Sequence, residues 1–252
     1  MIKLSVIVIT KNEAHNIGEC LRSVAFADEI IVLDSGSIDG TPDLARAAGA
    51  QVSTTADWPG FGAQKNRALA LAGGDWVLSI DADERVSPKL AAEIRATMAA
   101  TEFEVYSIPR LSSYCGQYMQ HSGWHPDHVV RLFRRGQARF SDDLVHERVV
   151  SACKTGALKS VLLHESFRCL EDVLDKTNRY STAGAVSLRK RGKSGSLGKA
   201  LCHGLWAFVR TYFLRGGFLD GRMGLVLAIS NAEGTYYRYL KLWLLDNQGA
   251  AE

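Results

Sequence analysis

The first hundred residues alternate between short apolar runs and helical patterns, and few folds accept that alternation. Leu4–Thr10 ("LSVIVIT") is apolar almost throughout rather than at every second position, as a strand covered on both faces requires. A helical pattern follows, with Ile17, Leu21 and Val24 at i, i+4 and i+7. "EIIVLDS" reads as a second buried strand, and Thr41 as N-cap, Pro42 as first helical residue and Gly49 as C′ glycine bracket the next helix. "AQVST" is a third strand, "GAQKNRALALAGG" a helix ending at Gly73-Gly74, "DWVLSI" a fourth strand, and Ser87-Pro88 opens the helix "PKLAAEIRATMAA". The reading predicts an α/β fold, a mostly parallel sheet flanked by helices on both faces.

Ligands of such sheets lie beyond the carboxyl ends of the strands. Polar clusters stand at three of those ends: "TKNE" after strand one, "DSGSIDGT" after strand two and "DADE" after strand four. In the last, Asp81 and Asp83 are expected on one side of the strand with Ala82 opposite. Two carboxylates so placed do not both ionise comfortably without a cation. Oxygen ligation suits Mg²⁺ or Mn²⁺, with water and phosphate oxygens completing the shell. The plainer alternative is a solvated turn before a helix N-terminus, where acids are favoured anyway. In "DSGSIDGT", Asp34 can accept from a base or ribose, and Ser35, Gly36 and Ser37 allow close backbone approach. Alternatively this is a polar loop with a helix cap, supported by Asp39. Lys65 and Asn66 stand in the first turns of a glycine-preceded helix, which suits an anionic phosphate or simply a solvated face. Neither G-x-x-x-x-G-K-[ST] nor G-x-G-x-x-G is present.

After residue 100 the pattern changes. "EVYSIPRLSSY", "HVVRLFRR", "DLVHERVV" and "KSVLLHES" read as shorter strands, and from Leu170 onward the pattern is helical, with "RKRGKSGSLG" as a linker. The expected organisation is 1–100 and 101–168 as two halves of one domain and 169–252 as a helical appendage. Charge separates with it: residues 185–252 carry a net +6 and residues 1–184 a net −3. The five cysteines are odd in number, scattered and without a C-x-x-C pair, which fits reduced thiols in a cytoplasm. No secretory signal or spanning run of about 18 apolar residues is evident.

"SVIVITKNEAHNIGECLRSV", "EIIVLDSGSIDGT", "GFGAQKNRAL" and "WVLSIDADE", in this order and spacing, resemble glycosyltransferase family 2. "SGWHPDHVVRLFRR", "LVHERV", "LLHES" and "DKTNRYS" are similar to its branch of lipopolysaccharide core β-1,4-glucosyltransferases. One departure is Ile38, where the family usually has threonine. The resemblance implies the GT-A fold, inverting transfer from a nucleotide-diphospho-sugar, and a divalent metal. Thr10, Asn12, Glu13, Asp34, Gly36, Lys65, Asp81 and Arg131 would then bind the nucleotide-sugar. Glu13 and Asp34 would meet base or ribose, Lys65 the base or diphosphate, Asp81 the ribose or a metal-bound water, and Asp83 the metal itself.

Inverting displacement needs a base for the acceptor hydroxyl, on the side of the sugar opposite the diphosphate. That places the base outside the first hundred residues, and Glu147 in "LVHERV" is the first candidate, against surface pairing with Arg148 or Arg131. His146 is second and Glu84 third. His164, ending "SVLLHES", is expected to complete the metal shell or contact diphosphate, or else to be structural. Arg131 either neutralises phosphate or pairs with acids. Trp124 either stacks on a sugar or packs in the core. "HGLWAFVRTYFLRGGFLDGR" mixes aromatics with Arg210, Arg215 and Arg222, as a helix lying on an anionic membrane does, or as a helical subdomain with a basic face does. Nucleic acid is not expected, since no recognition motif is present.

The expected partners are therefore a UDP-sugar donor, a lipid-linked saccharide acceptor and the cytoplasmic surface of the inner membrane. The expected reaction moves glucose from UDP-glucose to an inner-core heptose. Two alternatives stand beside it: a sugar-nucleotide nucleotidyltransferase, which lacks its usual glycine- and lysine-rich loop here, and a non-catalytic nucleotide-sugar-binding protein.

Overall fold

The computed structural model describes residues 2–100, 102–141 and 147–248. The chain forms two compact units, Met1–Arg110 with Asp127–His164, and Leu111–Pro126 with Glu165–Glu252.

The first unit opens with the expected alternation: β1 (Leu4–Thr10), α1 (Ala14–Ser23), β2 (Glu29–Asp34), α2 (Thr41–Ala47), β3 (Gln51–Thr54), α3 (Phe61–Leu71) and β4 (Trp76–Asp81). The four strands are parallel in the order β3-β2-β1-β4. After β4 come β5 (Glu84–Val86), α4 (Pro88–Ala100), β6 (Val105–Tyr114), β7 (Gln117–Tyr118) and β8 (Asp127–Arg134). The short strands β9 (Arg139–Phe140), β10 (Val149–Val150), β11 (Thr155–Ala157) and β12 (Leu162–Phe167) complete the set. The sheet continues past β4 as β8-β6-β12-β5. Here β4–β8, β6–β8 and β12–β5 are antiparallel. The four-stranded parallel block ends at β4, where β8 joins antiparallel, and parallel pairing recurs locally, between β11 and β6.

Both faces are apolar, as the unbroken strand runs require. Val6, Val8, Leu78 and Ile80 face Ile17, Leu21, Leu90 and Ile94 on one side, and Ile7, Leu33, Val77 and Phe133 join Ala68 on the other. Each fully buried aliphatic side chain contributes roughly 1.5–3 kcal/mol. One expected cap differs. Gly40, in the left-handed region at φ 85°, caps α2, and Thr41 is its first helical residue. The Thr41 hydroxyl instead accepts from Glu13 N–H at 2.8 Å and donates to Asp39. It joins two loops rather than closing its own helix.

The second unit holds α5 (Leu170–Lys190), α6 (Leu197–Val209), a π-helical turn Arg210–Leu214, a 3₁₀ turn Gly217–Asp220, and α7 (Gly221–Gln248). Ser196 caps α6 by accepting from Lys199 N–H at 3.1 Å. Lys241 on α7 donates to Asn178 O, Ser181 Oγ and Thr182 Oγ1 of α5 at 2.8–2.9 Å. The division differs from the expected boundary at 168, because residues 111–126 are tied to these helices. Buried Asp220 accepts from Gln120 N–H, His121 N–H and Ser122 Oγ. Tyr114 shares a 2.7 Å hydrogen bond with Ser230. No helix among the described residues is long and apolar enough to cross a membrane.

Candidate active site at the carboxyl edge of the sheet

Strands β1, β2 and β4 are adjacent and parallel, with Thr10 opposite Asp34 and Ile9 opposite Asp81. Their three polar clusters therefore reach one edge together. The loop after β2 is organised by Asp34, which is buried. It accepts from Thr10 Oγ1 (3.0 Å), Gly36 N–H (3.0 Å), Ser37 N–H (2.8 Å) and Ser37 Oγ. Asn12 takes the left-handed φ of 58°, which costs a non-glycine residue. It stitches the two loops: its N–H donates to Ser37 Oγ at 2.7 Å and its Oδ1 accepts from Ile38 N–H at 2.9 Å. Gly36, at φ 77°, is exposed at the turn, and so is Ile38. Glu13 is half-buried, and burial pushes its carboxyl up despite the hydrogen bond from Asn16.

The edge at β4 is a charge network. Lys65, on the first turns of α3, is 2% exposed. Its Nζ lies 2.9 Å from Asp81 Oδ1 and 2.7 Å from Glu147 Oε1. Arg131 on β8, also buried, bonds Asp81 Oδ2 through Nη2 and reaches Glu84 Oε1 at 2.7 Å. Arg110 adds a contact to Glu84 at 3.6 Å, and Asp81 N–H donates to Glu84 Oε2 at 3.0 Å. Burial opposes the charge on Asp81, but Arg131 and Lys65 outweigh it and hold the carboxyl far below the usual range. Glu84 is pushed the other way, because its burial exceeds the help of Arg131. With no exposed surface, Glu84 cannot meet an acceptor hydroxyl.

Asp81 and Asp83 do not share a strand face. β4 ends at Asp81, Ala82-Asp83 turns, and Glu84 begins β5 opposite His164 of β12. Asp83 meets His164 Nε2 at 3.3 Å, so the two expected metal ligands are neighbours. Among the described residues no group of three or more His, Cys, Asp or Glu side chains is set to hold a metal.

Three features lay outside the sequence reading. Gln64, fully buried, donates to Ser35 Oγ (3.0 Å) and Thr55 Oγ1 (2.7 Å), tying α3 to the β2 loop. Asn66, expected at phosphate or solvent, pairs with both backbone groups of Phe140 at 2.9 Å. Gly62 lets α3 approach the Ser141 carbonyl, where a Cβ would stand at 1.8 Å. The polar cluster before an apolar helix was the available signal for Gln64; nothing local signalled the other two. Glu147 pairs with Lys65 rather than with Arg148 or Arg131. His146 lies outside the described residues. Trp124, in the second unit, packs edge-on against Tyr114 with centroids 5.7 Å apart.

A family model described as Glycosyl transferase family 2 matches residues 5–162. The uncharacterized glycosyltransferase RP128 of Rickettsia prowazekii is 32% identical over 96% of this chain and 87% of its own. The lipopolysaccharide core biosynthesis glycosyltransferase LpsC of Rhizobium meliloti is 31% identical over 94% of this chain and 93% of its own. The crystal structure of S. aureus TarS 1-349 in complex with UDP matches 98% of this chain and 92% of its own, with a TM-score of 0.52 and 18% identity, a likeness of fold.

Proposed function

The chain belongs to glycosyl transferase family 2, and from that membership we propose that it is an inverting hexosyltransferase of lipopolysaccharide core assembly. In this reading the donor is UDP-glucose and the acceptor an inner-core heptose. LpsC, similar over nearly the whole chain, supports the acceptor class. Membership of a glycosyl transferase family, rather than a nucleotidyl transferase one, sets aside the nucleotidyltransferase reading.

The observation that carries the proposal is the Lys65 ammonium held between Asp81 and Glu147. It links the carboxyl edge of β4, where nucleotide-sugars belong in this kind of sheet, to a carboxylate delivered 82 residues later. Lys65 orients Glu147 through Oε1 and leaves Oε2 without a partner among the described residues. Oε2 takes the proton of the acceptor hydroxyl as that oxygen attacks the anomeric carbon. The C–O bond to the diphosphate breaks on the opposite side, and configuration inverts. Thr10, Asn12, Asp34 and Gly36 shape the nucleotide loop, with Glu13 beside it, while Arg131 and Lys65 keep Asp81 ionised. Asp83 and His164 are touching and partly exposed, which fits two protein ligands to a hard divalent ion with the remaining positions open. Such an ion, when bound, neutralises charge on the departing diphosphate.

The second unit supports attachment to the cytoplasmic face of the inner membrane. Leu197, Leu201 and Leu205 recur every four residues along α6 and are all exposed, as is Trp206, within a segment of net +6.

The test is a panel of UDP-sugars with Mg²⁺ or Mn²⁺, scored by UDP release and thermal shift, on wild type and Glu147→Gln. The variant should lose at least about 100-fold in turnover and keep its donor affinity. Unchanged turnover removes Glu147 as the base, and a protein that no UDP-sugar stabilises has another donor.

A further inference from the structure

Within the helical unit, a cavity of about 390 Å³ opens among α5, the π-helical turn, α7 and the segment around Trp124. Lys176, Arg210, Arg215 and Arg238 line it, and no Asp or Glu does. Among the described residues none of these four cations has a carboxylate partner; Lys176 is held by Ser166 O at 3.0 Å and sits 4.4 Å from the Phe167 ring centroid. Like charges gathered in a concave site repel until an anion enters.

The backbone is shaped to seat two of the arginines. A Cβ at Gly123, itself at φ 75°, would stand 2.4 Å from Arg215 Cδ. One at Gly184 would stand 2.7 Å from Arg238 Nε. Arg210 and Thr211 lie on the π-helical turn, a form of winding frequent at functional sites. The remaining lining carries no charge and combines polar groups with the rings of Trp124, Phe167 and Tyr180. Thr211, Ser230, Asn231 and Thr235 supply hydroxyls and an amide, and the rings of Trp124 and Tyr180 supply faces. Tyr180 is 63% exposed, although a buried position would stabilise its ring more.

We infer that this cavity binds a phosphate monoester carried on a saccharide. Three guanidinium forks match phosphate oxygens in bidentate geometry and exceed what one carboxylate would need. Hydroxyls, amide and ring faces match a sugar. The inference deepens the proposed function, since it gives the saccharide that the enzyme handles a phosphate, but binding does not require turnover.

Isothermal titration of the full chain with glucose 6-phosphate, inorganic phosphate and glucose reads the inference directly. Glucose 6-phosphate should bind, inorganic phosphate more weakly, and glucose not at all. Arg210→Gln/Arg238→Gln, both exposed positions, should weaken glucose 6-phosphate at least about tenfold and leave UDP affinity unchanged. If that variant melts early, Arg210→Lys, which keeps charge and loses the fork, should weaken the sugar phosphate in the same direction. Equal binding of inorganic phosphate and glucose 6-phosphate, or equal affinity in wild type and variant, overturns the inference. Loss of binding to anionic phospholipid vesicles in the double variant assigns the cavity to a lipid headgroup and overturns it as well. Failure of the donor panel is scored on UDP-sugars alone, so the two readings fail separately.

Discussion

Arg131 is the residue on which the charge balance of the edge turns. Among the described residues it is the one side chain bonded to both Asp81 and Glu84, and Glu84 has no exposed surface. Arg131→Leu leaves fully buried Glu84 with the weaker 3.6 Å contact to Arg110 and should cost about 3 kcal/mol in urea unfolding. Glu13 gives the pH dependence. Burial raises its folded value above the ordinary 4.5. Below that value both states are protonated and the shift has no effect on stability. As pH climbs through the interval, the unfolded chain releases its proton first, so the folded state loses stability. Glu13→Gln should therefore melt higher than wild type at pH 7 and match it at acidic pH. Legibility at this scale divides by sequence distance. Asp81, Asp83 and Lys65 stand in local patterns and were readable. The Lys65–Glu147 and Asp83–His164 contacts join residues about eighty positions apart, which no spacing rule reaches. Strand periodicity also misplaced Asp83, because the strand ends two residues earlier.

At the scale of elements, α3 is the piece that assembles the edge. Its first turns carry Gly62, Gln64, Lys65 and Asn66, which respectively admit Ser141, hold the β2 loop, bridge two carboxylates and pair with β9. Gly62→Ala puts a methyl 1.8 Å from the Ser141 carbonyl oxygen and 3.4 Å from Glu147 Cβ. It should destabilise by about 1–3 kcal/mol, and turnover should fall more than donor affinity, measured by melting and by kcat against UDP binding. The parallel strands and their helices were legible because an element buried on both faces must be apolar throughout. The strands β6, β8 and β12 were legible as strands but not in their order, since they are brought together by pairing rather than by local pattern, and the short strands β5, β7 and β9 were not legible. Gly40 displaced Thr41 as cap because the hydroxyl is held by partners in two loops.

At the scale of the whole molecule, charge and apolar exposure concentrate in the second unit. If α6 lies on a membrane, Leu201→Ser/Leu205→Ser should lower partitioning onto anionic vesicles by about tenfold with UDP affinity unchanged, read by co-sedimentation. The composition of the tail showed a basic segment rich in aromatics; which residues form the exposed stripe did not follow from it, because Leu197 and Leu201 precede that aromatic and arginine-rich run. The bridge built by Lys65 has a consequence for redesign. A change of donor sought by regrafting the β4 turn alters the partner of the same ammonium that steadies Glu147. If Glu147 is the base, donor choice and proton removal are inherited as one trait, and chimeras that keep α3 with its native Glu147 segment should be the ones that stay active.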